Sequence, residues 1–73
     1  MQTKIITDSI IDGDMIFDGN LEFTGDCYVT GDIVAAGWIT GAGWIKAGGR
    51  IKAGGRIEAG LGITAGGGIK ADE

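Results

Sequence analysis

The sequence predicts an all-β fold, a single short β-solenoid with a triangular cross-section, about 18 residues per rung and about four rungs. Three interleaved series predict it. Every sixth residue from Ile33 is isoleucine: Ile33, Ile39, Ile45, Ile51, Ile57, Ile63 and Ile69. The series runs back through Cys27, Leu21, Met15, Ser9 and Thr3. Two positions later come Ile5, Ile11, Phe17, Phe23, Val29, Ala35, Gly41 and then alanine at 47, 53, 59, 65 and 71. Two positions later again the residue is glycine from Gly13 to Gly67, with Leu61 as the exception.

These series fill the odd positions, and the even positions hold most of the charge, so the chain alternates with the period of a half-buried strand. The phase reads as unbroken, which places Ile5 inside and Ile6, Ile10, Ile16, Tyr28 and Val34 outside. A glycine in each hexad lets the backbone turn a corner where a side chain would clash. A helix is excluded because six is not a multiple of 3.6 and a glycine in every turn would cost about 1 kcal/mol each. Three hexads per rung give core columns 18 apart: Met15, Ile33, Ile51, Ile69; Leu21, Ile39, Ile57; and Cys27, Ile45, Ile63. Alanine columns beside them fill a thin prism. Phe17 and Phe23 replace alanine near the start and predict a wider or differently closed prism there.

Residues 1–73 form one domain, of a size that buries only about 60% of its unfolded surface. Sixteen glycines accompany 44% apolar residues, which argues against disorder. The lone Cys27 excludes an internal disulfide, and no long apolar run predicts a signal peptide or membrane span, so a cytoplasmic protein is expected. The formal charge of −4 argues against direct nucleic-acid binding. Charge is polarised: −6 before Ile33 and +2 from Ile33 onward.

Catalytic and ligand chemistry find little support. No histidine exists to act as a base or ligand, and no Gly-x-x-x-x-Gly-Lys-Ser/Thr cradle is present. Asp8, Asp12, Asp14 and Asp18 are loosely spaced like a calcium loop but lack its closing glutamate. Cys27 reads as a small core residue. No enzyme activity, cofactor or metal is expected.

The outward surface points elsewhere. Ile10 stacks beside Tyr28 and Ile16 beside Val34, while Trp38 and Trp44 also point outward. Together these six form a candidate interface. Trp38 is expected to meet Arg56 in a cation–π pair, and Asp32 to meet Arg50 in a surface ion pair. No capping helix follows Ala71, so the last rung is expected to want a partner.

Two family resemblances follow from quoted stretches. Ile45-Lys-Ala-Gly-Gly-Arg-Ile51-Lys-Ala-Gly-Gly-Arg-Ile57 resembles hexapeptide-repeat β-helices. Gly19-Asn-Leu-Glu-Phe-Thr-Gly25-Asp-Cys-Tyr-Val-Thr-Gly31-Asp-Ile33 resembles the polymer-forming cytoskeletal family, the bactofilins. The two imply opposite handedness, so the hand of the coil stays open. The first family often hosts acyltransferases that use a histidine and a protruding loop, which this chain lacks. The second implies assembly without nucleotide. The leading expectation is a non-enzymatic, self-associating scaffold that forms a homo-oligomer. The alternative is a small phage-type inhibitor, anti-CRISPR-like, whose acidic face of Asp8, Asp14, Asp26 and Asp32 mimics nucleic acid and occupies a basic groove on a host protein.

Overall fold

The computed structural model describes residues 2–72 as twelve short strands and no helix. The first rung holds β1 (Thr3–Ile6), β2 (Ile10–Ile11) and β3 (Met15–Phe17). The second holds β4 (Asn20–Phe23), β5 (Cys27–Val29) and β6 (Ile33–Ala35). The third holds β7 (Ile39–Gly41), β8 (Trp44–Ala47) and β9 (Arg50–Ala53). The fourth holds β10 (Ile57–Ala59), β11 (Gly62–Ala65) and β12 (Gly68–Ala71). Equivalent strands of successive rungs pair in parallel, giving three four-stranded sheets: face A (β1-β4-β7-β10), face B (β2-β5-β8-β11) and face C (β3-β6-β9-β12). This is a β-solenoid of about four turns.

The registers reproduce the 18-residue rung almost everywhere. Met15 pairs with Ile33, Ile33 with Ile51 and Ile51 with Ile69. Leu21 pairs with Ile39 and Ile39 with Ile57; Cys27 pairs with Ile45 and Ile45 with Ile63. Stacking like on like at about 4.8 Å lets each β-branched side chain nest on the next. Ile33, Ile39, Ile45 and Ile51 are fully buried, each contributing about 1.5–3 kcal/mol of burial free energy. The alanine columns at 35/53 and 47 close the gaps between them.

The first rung departs from the expected phase. β1 pairs with β4 at an offset of 17, setting Lys4 beside Leu21 and Ile6 beside Phe23. The connection from β1 to β2 is therefore one residue shorter than its counterpart from β4 to β5. Ile6 is buried and Ile5 is 59% exposed, the reverse of the expected placement. Two adjacent isoleucines make either register apolar, so the alternation there carries no preference. The observed register also pairs Thr3 with Asn20, whose Nδ2 donates to Thr3 Oγ1 at 3.3 Å.

The first rung is differently closed, as expected near the start: Phe23 meets Ile6 at the offset of 17. Above it the 18-residue register holds, Phe17 pairing with Ala35 and Phe23 with Gly41, which leaves the Phe23 ring room in the alanine column.

The glycines sit mostly where a side chain would clash, as expected, and seldom where the turn needs a positive φ. Of the glycines, only Gly13 (φ 109°) and Gly68 (φ 125°) have positive φ. Most of the others are required by close approach between rungs, whereas a Cβ on Gly25 or Gly62 would meet nothing within 4 Å. At Gly54, for instance, a Cβ would land on the Ala36 carbonyl oxygen of the rung below.

Candidate functional site

The corners reveal a repeated device. A Gly-Asx pair opens each corner of the second rung and the last corner of the first, and the Asx side chain reaches up one rung. The backbone N–H of Asp32 donates to Asp14 Oδ1 (2.8 Å), that of Trp38 to Asn20 Oδ1 (3.0 Å), that of Trp44 to Asp26 Oδ1 (2.9 Å) and that of Arg50 to Asp32 Oδ1 (2.8 Å). Every span is 18 residues. These bonds satisfy corner N–H groups that the sheets leave free, and a carboxylate acceptor makes them stronger than neutral bonds. Each needs space at the residue just before the donor. A Cβ on Gly31, Gly43 or Gly49 would fall on Oδ1 of Asp14, Asp26 or Asp32. The paired signal, Asx at i with glycine at i+17, was present in the sequence and is what the alternation argument missed.

Replacing Asp32 separates these roles. Asp32→Asn keeps an acceptor oxygen, as Asn20 does naturally, and should change stability by less than about 0.5 kcal/mol in urea denaturation. Asp32→Ala orphans the Arg50 N–H and should cost about 1–2 kcal/mol. Equal losses in the two variants would mean that the side-chain bond is not what matters.

The four expected acidic partner residues lie at two corners. Asp14 and Asp32 share the corner entering face C; Asp8 and Asp26 lie at the corner entering face B. Asp12 is tied locally: Gly13 N–H donates to Thr30 Oγ1 (2.7 Å), whose hydroxyl donates to Asp12 Oδ1 (3.1 Å). Among the described residues no cluster of three histidine, cysteine or acidic groups is arranged to hold a metal ion. Cys27 is buried; burial, with the Asp8 charge adding to it, pushes its thiol above the usual range. It therefore stays protonated at neutral pH, where a thiol is a poor nucleophile.

The six expected interface residues are outward but not contiguous. Ile10 pairs with Tyr28 on face B and Ile16 with Val34 on face C, as the 18-residue stacking requires. Ile10 is 68% exposed and Ile16 67%, while Val34 is half-buried. Trp38 lies at the corner entering face A, and Trp44 opens β8 at the corner entering face B; both are about half exposed. Ile5 and Leu61 add exposed apolar surface that the repeat pattern had assigned elsewhere.

Two expected contacts are replaced by others. Asp32 takes the Arg50 backbone N–H, so its carboxylate serves the corner and not the guanidinium. Trp38 and Arg56 line one open groove with Asn20, yet the cation–π contact among the described residues is Lys46 Nζ, 5.5 Å from the Tyr28 ring centroid. Lys46 pairs directly with Tyr28 in face B, which puts its ammonium over that ring.

Among the described residues no helix is long and apolar enough to cross a membrane. No family model matches the chain, and neither a curated protein nor a solved structure does.

Proposed function

We propose that this chain is a non-enzymatic structural protein, a rigid β-solenoid that binds further copies of itself through its sides. One observation carries the reading: Ile10, Ile16, Trp38 and Trp44 keep about half or more of their surface in contact with water, at outward positions that charged residues fill elsewhere in the repeat. Such exposed apolar surface marks an interface, and tryptophan is a favoured anchor. The resemblance to hexapeptide-repeat β-helices and bactofilins supports the reading through architecture only.

The alternative, an acidic ligand for a basic groove, has weaker support. Its carboxylates are divided between two corners, and Oδ1 of Asp14, Asp26 and Asp32 already accepts a backbone bond.

Light scattering across a concentration series tests the proposal. The wild-type mass should rise with concentration, and Trp38→Ala with Trp44→Ala should weaken association about tenfold or more. A wild-type mass fixed at 7.4 kDa at every concentration would overturn it.

A further inference from the structure

Self-association leaves open which side meets which. Charge assigned to rungs narrows the choice. Lys4 against Asp8, Asp12, Asp14 and Asp18 leaves the first rung at −3. Glu22, Asp26 and Asp32 leave the second at −3, and Lys46, Arg50 and Lys52 set the third at +3. In the fourth, Arg56 and Lys70 balance Glu58 and Asp72. Two copies side by side with axes parallel would set like charge against like. With axes reversed, the second rung of each copy faces the third rung of the other, −3 against +3.

Reversed packing about a two-fold axis along the strands pairs first-rung with fourth-rung positions of the same column, and second with third. The three faces then differ sharply. On face A, Ile5 would meet Glu58 and Glu22 would meet Thr40, which desolvates carboxylates without a cation. On face C, Ile16 would meet Lys70 and Val34 would meet Lys52, apolar groups against ammonium. On face B, Ile10 meets Thr64 and Tyr28 meets Lys46. At the corner that faces B and C share, Asp32 meets Arg50, and at the other edge of face B Asp26 lies against Trp44.

We propose that face B is the contact between two antiparallel copies of this chain. This rests on the self-association reading and specifies its surface. Tyr28 and Lys46 occupy the centre, where each ammonium already lies over its own ring and reaches a second one across the interface. Asp32 keeps Oδ2 available for the second copy's Arg50 while Oδ1 holds the corner. Trp44 and Ile10 lose their exposure to water. One face of a body measuring 25 × 23 × 22 Å is modest. It buries about 900 Å² over both copies, at the low end for specific contacts, so the dimer forms and dissociates with concentration.

The test joins mass measurement to cross-linking. Sedimentation equilibrium of the wild-type chain comes first; a monomer throughout overturns self-association itself. If the chain associates, Ile10→Cys and Thr64→Cys chains are prepared separately, mixed and oxidised. Face B packing predicts disulfide-linked heterodimers from the mixture and few homodimers from either variant alone. Homodimers of Ile10→Cys would mean parallel packing. Retained association without any cross-link would mean another surface. Either result overturns the assignment to face B while leaving self-association standing. Asp32→Asn, which preserves the corner bond, should weaken the dimer about threefold to tenfold, and added salt should remove that difference.

Discussion

Ile33→Ala is expected to cost about 3–5 kcal/mol, enough to leave the chain largely unfolded at 25 °C. Ile33 is fully buried in the middle of a column, with Met15 paired on one side and Ile51 on the other. Removing three carbons opens a void between two rungs whose spacing is fixed by backbone hydrogen bonds. The walls cannot collapse into it without breaking those bonds, so most of the cavity cost remains. Small domains hold little reserve, and an isoleucine at the centre of the stack is a large share of it. Urea denaturation followed by tryptophan fluorescence gives the value. The same change at Ile69, which is 49% exposed at the edge of face C, should cost about 1 kcal/mol or less. Similar losses at both sites would contradict a graded interior.

Gly54→Ala should also destabilise strongly, by about 2 kcal/mol or more. Glycine-to-alanine changes at permissive sites stabilise proteins by about 0.4–1 kcal/mol, because the unfolded chain loses freedom. Gly54 has no positive φ, so its backbone would accept alanine. The obstacle is the Ala36 carbonyl oxygen, on which the new methyl would fall. Relief requires moving one rung off the other, and the neighbouring bond from Gly54 N–H to the Ala35 carbonyl (3.0 Å) stretches with it. Gly25 provides the contrast: nothing lies within 4 Å of its would-be Cβ. Gly25→Ala should be neutral or slightly stabilising. Opposite signs at two glycines of ordinary φ would separate close approach from backbone freedom as the reason for the repeat.

From Ile10 onward the fold was legible because side-chain periodicity and backbone geometry say the same thing. Period two within the hexad and three hexads per rung leave one way to bury the isoleucines, and the registers Leu21–Ile39–Ile57 follow it. At Ile5 and Ile6 the pattern is degenerate, and a buried Asn20 bonded to Thr3 accompanies the register that the alternation missed. The bonding role of the corner acids was not legible either. A charge at an even position looks like a solvated face until the stacked rung shows a backbone N–H above it. The triangular 18-residue rung already set Tyr28 and Val34, six residues apart, on different sides of the prism, and the sheets place them on faces B and C.

The same corner logic explains how the third rung differs. Trp38, Trp44 and Arg50 occupy the positions that Asn20, Asp26 and Asp32 hold one rung earlier. None has a side-chain acceptor for the rung above. The side-chain bonds among these corners thus stop where the tryptophans begin, and corner stapling gives way to bulky outward groups suited to contact.

Cross-rung nuclear Overhauser effects on the isotope-labelled 73-residue chain test the central claim most directly. Contacts should join Met15 to Ile33, Ile33 to Ile51 and Cys27 to Ile45, with Ile6 reaching Phe23 one residue out of step. Sequential helical contacts, or an Ile33 methyl group that contacts only water and its own neighbours in sequence, would contradict the account.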